Sequence, residues 1–172
     1  MSSMERYLEA LGSGLLHSFN TWKTDAGVPD VAAGVYTVWH KSDTDIDLPE
    51  FVYVGYSGRS LTEEKIQQMR VAGATREALW SRLHAHATGR RSGDQFAVYV
   101  ADRCVLPRMS AAEIEGVAQN TISLDKMVKK YIADHLAFRW KETPDGKTAM
   151  AVENEIKLGN WLHGKPFLNP IV

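Results

Sequence analysis

The sequence predicts an α/β domain: a small, mainly antiparallel sheet of three to four strands flanked by helices. Three observations predict it. Two β-branched and aromatic runs, Val31 to Trp39 and Phe51 to Tyr56, are separated by a polar loop, the pattern of a hairpin. Before and after that hairpin, apolar residues recur at helical spacing. Capping and turn residues punctuate these segments, with no internal repeat, low-complexity tract or linker, so residues 1–172 read as one domain.

Taken in order, residues 4–19 space Leu8, Leu11, Leu15, Leu16 and Phe19 as a helix, weakened by Gly12 and Gly14. The hairpin follows over 32–57. Residues 59–75 form a helical insertion whose helix, Thr62 to Arg70, starts on a capping threonine and stops near Gly73. Thr75 is placed to cap a helix over 76–88 that Gly89 ends, with Leu79, Leu83 and His86 near one face and Arg82 one turn from His86. Gln95 to Cys104 alternates and is rich in valine and aromatics, which predicts a third strand. Ser110 to Gly116 and Ser123 to His135 look helical, and Leu136 to Lys141 reads as a fourth, edge strand leading to the turn Thr143 to Gly146. Thr148 to Leu158 is a helix ended by Gly159, and the irregular tail 165–170 is apolar enough to pack down.

Hydrophobic content of 44% and charged content of 24% are those of an ordinary globular protein. No apolar stretch reaches membrane-helix length and the N-terminus lacks the order of a signal peptide, so a cytoplasmic protein without a membrane partner is expected. The single cysteine, Cys104, reads as a buried or half-buried thiol in a reducing compartment. A net charge of -1 excludes a general nucleic-acid coat. Charge is uneven, however: residues 59–91 hold seven Lys or Arg against three Glu, enough for a local basic face.

Gly34-Val35-Tyr36 and Tyr53-Val54-Gly55 put one tyrosine and one glycine on each strand of the hairpin. A strand tyrosine holds a rigid phenol at fixed height, and a strand glycine marks a close approach of backbone or ligand. This arrangement resembles the signature of the GIY-YIG endonuclease family, and the resemblance runs from about Ala33 to Pro170. It implies the same small α/β fold and a metal-dependent endonuclease acting on DNA, with RNA not excluded. In Arg82-Leu-His-Ala-His86 it implies an arginine followed by a histidine one turn later, with Arg76 and Arg59 as alternatives for the arginine. Ala151-Val-Glu153 matches the context of the family's metal carboxylate better than Glu155 does, and Asn169-Pro170 occupies the place of its late asparagine.

The resemblance thus gives Tyr36, Tyr53, Arg82, His86, Glu153 and Asn169 as the catalytic set. Glu153 would hold Mg²⁺ (or Mn²⁺), for which one carboxylate is enough. Arg82 would bind non-bridging phosphate oxygens. Tyr36 would take or relay the proton of the attacking water, and Tyr53 would orient water or phosphate. A phenol near pKa 10 needs a positive neighbour for that role, and His86, Arg82 and the metal are candidates. Arg90 and Arg91 on the flexible turn, with Arg76 and Arg59, are the expected nucleic-acid contacts.

Singly, each of these residues has a structural explanation: aromatics favour strands, Arg82 and Glu153 suit solvated helix faces, and His86 suits core hydrogen bonding as well as catalysis. His84 reads as a surface residue and the five tryptophans as packing. Asp43-Thr-Asp-Ile-Asp47 begins like a calcium loop but has Leu48 where glycine belongs, and reads as a solvated hairpin tip. Gly55-Tyr-Ser-Gly58 lacks the last glycine of a nucleophile elbow. A binding or interaction module that kept the fold without catalysis is the alternative, and a structural subunit of a larger assembly is a third reading.

Overall fold

A computed structural model describes residues 2–42 and 47–170, so all but Asp47 of the tip read at Asp43 to Asp47 lies outside the described residues. In chain order the elements are α1 (Ser3–Ser13), β1 (His17–Ser18), α2 (Trp22–Asp25), β2 (Val31–His40), β3 (Phe51–Ser57), α3 (Glu63–Val71), β4 (Glu77–Ala78), α4 (Leu79–Thr88), α5 (Gln95–Val100), α6 (Ala111–Ala118), α7 (Leu124–His135), β5 (Leu136–Thr143) and α8 (Gly146–Leu158). The strand order is β1-β5-β2-β3, antiparallel throughout, and β4 adds a short parallel bridge to the start of β2. The predicted fold class is the observed one.

The register fixes which side chains share a face. Tyr36 lies opposite Gly55 on one side and Trp140 on the other, and Val38 lies opposite Tyr53 and Phe138. These residues form the front face, covered by α4, α5 and α7 through Leu79, Leu83, Phe96, Val100, Val128 and Ile132. Each such fully buried side chain contributes about 1.5–3 kcal/mol. The back face carries Val35, Trp39 and Val54, covered by Leu11 of α1 and by Ala149, Val152 and Ile156 of α8. A bulge between Val38 and Trp39 shifts the pairing, so that Phe51 opposes Trp39 and joins the back cluster while Val52 joins the front one.

Several sequence expectations need correction. Gln95 to Cys104 is helical: α5 runs on as a π-helix over Ala101–Val105 and a 3₁₀ turn over Leu106–Arg108. Phe96, Ala97, Val100, Ala101, Cys104 and Val105 are all buried, a spacing of one and then three that a helix presents on one face. Asp94 starts the helix by accepting from Phe96 N–H, so capping and packing override the strand preference of valine and tyrosine. Leu136 to Thr143 is an inner strand between β1 and β2 rather than an edge, because the two-residue β1 pairs with its outer side. The first helix ends at Ser13, where Gly14 closes it on Ala10, and residues 17–19 turn into β1. Thr75 is not a cap; α4 begins at Leu79 after the β4 bridge. Helix α8 begins earlier than predicted, at Gly146, on an Asp145 cap.

The insertion helix with its Thr62 cap, the hairpin, the helices α6 and α7, and the stop at Gly159 are where the sequence places them. The tail packs down as expected, with Phe167 and Leu168 donating to Phe51 O and Val52 O along the free edge of β3. Cys104 is buried, and desolvation raises its thiol to about 11. Among the described residues, no helix is long and apolar enough to cross a membrane.

The end of α4 is fixed by Gly89, which sits at φ +66° and whose absent Cβ would lie 2.4 Å from Lys129 N of α7. Gly89→Ala is therefore expected to destabilise the fold by at least about 1–2 kcal/mol, the left-handed penalty alone, with the clash added. Urea denaturation checks this, and an unchanged midpoint would mean that α7 does not dock so closely.

Candidate active site

Tyr36 sits mid-strand on the front face, and its phenol occupies the space that a side chain at Gly55 would need. A Cβ on Gly55 would lie 2.2 Å from Tyr36 Oη. The glycine of the second strand thus serves the tyrosine of the first. Tyr36 Oη lies 2.7 Å from His86 Nε2, and His86 Nδ1 lies 2.7 Å from Asp94 Oδ2. All three residues are buried, at 1%, 1% and 4% exposure. Helix α4 aims His86 inward because Leu79, Leu83 and His86 fall on its sheet-facing side.

Protonation states follow from this chain. Burial lowers the His86 imidazole, with Asp94 acting against that and Arg82 adding to it. A neutral imidazole then donates from Nδ1–H to Asp94 and accepts at Nε2 from the Tyr36 hydroxyl, the only assignment that satisfies all three groups. Burial also raises the Tyr36 phenol well above its ordinary value, as do the charges of Tyr53, Asp94 and Glu153, while Arg82 opposes them. His86 is therefore not the positive neighbour that the sequence reading considered; it is a proton acceptor.

Tyr53 stands beside the chain, its ring 6.4 Å from that of Tyr36 and 6.2 Å from that of His86. It is half-buried, and among the described residues its hydroxyl has no protein hydrogen bond, which leaves it open to a water or a phosphate oxygen. Burial raises its phenol too, followed by the charges of Glu153 and Asp94, with Arg82 opposing. Arg82 is exposed and, among the described residues, makes no hydrogen bond or ion pair, so its five N–H donors are unused. Its charge nevertheless reaches both phenols.

Glu153 belongs to α8, in the layer behind the sheet, yet its charge is felt at both phenols of the front face, and at edge-strand Tyr53 it is the leading charge. It is 5% exposed, and desolvation raises its carboxyl although Lys157, 3.0 Å from Oε1, pulls it down. Glu155 is instead turned to Asn160. Asn169 plays a structural part: its amide brackets Val54, Oδ1 accepting from Val54 N–H at 2.8 Å and Nδ2 donating to Val54 O at 2.9 Å. A cleft of about 320 Å³ beside it is lined by Lys157, Lys165 and Asn169.

The expected nucleic-acid contacts differ in their surroundings. Arg59 is exposed just past β3. Arg76, at φ 61°, lies over the Trp80 ring, Arg91 is paired with Asp125, and Arg90 lines a separate cleft beyond α4. A cleft of about 770 Å³ lined by Leu8, Gly12, Trp161 and His163 contains none of the predicted site residues.

Among the described residues no group of three or more His, Cys, Asp or Glu could hold an ion. Glu153 Oε1 is paired with Lys157, so an ion at Glu153 would have this one carboxylate as protein ligand and would take its other ligands from water or substrate oxygens. Asp94 is the site residue that the sequence reading missed. Gly93-Asp94 before an apolar run was the available signal, a capping aspartate ahead of a helix. No protein-family model matches the chain, and no curated protein or solved structure matches it.

Asp94→Asn keeps the helix cap but puts an N–H where one oxygen accepts. Imidazole ¹⁵N shifts are expected to show the tautomer of His86 exchanged, with a stability loss of about 1–3 kcal/mol; an unchanged tautomer would remove Asp94 from the chain. A second expectation concerns pH. All six histidines lie below the ordinary imidazole value of 6.5, each chiefly through burial. The unfolded chain then takes up protons before the folded one, so stability is full above about pH 6.5 and falls as pH drops below it. The raised Glu153 carboxyl works the other way and offsets a part. Urea midpoints taken downward from about pH 7.5 should decline, and a flat profile would contradict the buried imidazoles.

Proposed function

We propose that this chain is a metal-dependent endonuclease hydrolysing phosphodiester bonds in DNA, on the plan of the GIY-YIG family it resembles. The hydrogen-bonded chain Tyr36, His86, Asp94 beside an unengaged Tyr53 hydroxyl is the observation that carries this reading. A buried imidazole oriented by a carboxylate and facing a phenol is the arrangement general-base chemistry requires.

As the water oxygen bonds to phosphorus, its proton passes to the Tyr36 oxygen while the Tyr36 proton moves to His86 Nε2. No free phenolate forms, which removes the difficulty of a phenol raised by burial. The resulting imidazolium is held by Asp94, 2.7 Å from Nδ1. Tyr53 orients the water through its free hydroxyl. Arg82 meets the non-bridging oxygens with its unused fork, where charge accumulates on the phosphate. Glu153 would hold Mg²⁺ or Mn²⁺, which when bound supplies positive charge to the scissile phosphate and to the departing 3′ oxygen.

One observation favours a second reading, a binding module on the same fold without catalysis: Tyr36 is only 1% exposed. Cleavage decides between the two. Purified protein with Mg²⁺ or Mn²⁺ is expected to nick or cut plasmid DNA. Tyr36→Phe and Glu153→Ala should each lower the rate by roughly 10²–10⁴-fold, with circular dichroism unchanged. No cleavage of duplex, branched or single-stranded DNA with either ion, or full activity in both variants, would overturn the nuclease reading.

A further inference from the structure

Helix α4 borders a cleft on the side away from the sheet. Its sheet side holds His86, while His84, two residues back, is turned by about 200° from that position. There His84 joins Lys23 of α2, Arg90 just past α4 and Lys129 of α7 around a cleft of about 610 Å³, with Asn20 and Thr88 completing the polar wall. Phe19 and Trp22 give it an aromatic floor. Among the described residues that line it, none is acidic.

Pairing around this cleft is selective. Arg91 and Lys130, the sequence neighbours of Arg90 and Lys129, are matched to Asp125 and Asp134. Arg90 and Lys129 themselves have no ion pair among the described residues, and Lys23 rests over the Trp80 ring. Cations crowded in a concavity without counter-charge repel one another unless an anion joins them. His84 lines the same cleft. Its Nδ1 is shut off from solvent and does not meet a ligand there, so Nε2, which makes no protein hydrogen bond among the described residues, is the ring nitrogen left to one. Burial lowers its imidazole first, and the positive charges of Lys23 and Arg76 lower it further, which reports a positive local field. Gly89 lets the backbone of α7 lie against the end of α4, which brings the backbones of Arg90 and Lys129 together at the rim of the cleft.

We propose that this cleft is a phosphate-binding site, separate from the Tyr36 centre, in which Lys23, Arg90 and Lys129 take the phosphate oxygens and His84 contributes a ring nitrogen. The phosphate belongs to a free phosphate compound or to a nucleic-acid backbone, two sources with one chemistry. The inference does not rest on nuclease activity and is tested without it.

The full chain, in metal-free buffer, is titrated with inorganic pyrophosphate and, separately, with a short 5′-phosphorylated single-stranded oligonucleotide. Calorimetry gives affinity, and the imidazole ¹⁵N resonances of His84 report occupancy. At least one probe is expected to bind and to move the His84 resonances. The doubly substituted Arg90→Gln, Lys129→Gln protein should bind at least about tenfold more weakly, while Lys130→Gln, whose ammonium is already paired with Asp134, binds as the parent does. Thermal unfolding verifies that these surface variants fold. Binding of pyrophosphate assigns a compact phosphate ligand; binding of the oligonucleotide alone assigns the backbone. If neither probe binds, or if binding leaves His84 unmoved and survives the double substitution, the proposal is overturned.

Discussion

The hydrogen bond between Tyr36 and His86 organises the centre of this molecule. It joins the middle strand of the sheet to the helix that covers it, 50 positions later in the chain, and Asp94 extends the tie to the start of the next helix. Polar groups this deep are favourable only when every one is matched; a single missing partner leaves a desolvated donor or acceptor. The rotation of α4 about its axis is thereby set. Once His86 faces inward, Arg82 must project to solvent near the phenols and His84 must face the far side, so one buried contact decides two surfaces.

The three-layer build explains how residues from opposite sides of a sheet can act on one another. The phenols stand on the front face and the carboxylate comes from the back layer. The edge strand β3 is where both are within electrostatic reach, Glu153 being the leading charge at Tyr53. Gly55 belongs to this edge because the ring of Tyr36 lies across it. The tail also ends here, with Asn169 satisfying the backbone of Val54 in place of a neighbouring strand.

Much of this was legible in the sequence, and the failures have physical causes. The hairpin could be read because its continuous β-branched and aromatic runs coincide with burial on both faces, and α3 and α6 because their capping residues bond as their positions suggest. Residues 95–104 misled because valine and tyrosine favour strands locally, while burial of Phe96, Val100 and Cys104 against α7 rewards a helix. Of the site, Tyr36, Tyr53, Arg82 and His86 were legible from motif order. Asp94 was not, since its role depends on a contact with His86 that no local pattern encodes. Asn169 was expected in the catalytic set, but its side chain is engaged with the backbone of Val54 rather than free.

One consequence lies at the two margins of the sheet. At one margin stands β1, two residues long, and at the other the tail from Phe167 to Asn169 already takes up backbone groups of Phe51, Val52 and Val54. The tail thereby shortens the row of open amides that β3 could offer to a strand of a second molecule, whereas β1 covers only Ala137 and Phe138 of the eight-residue β5.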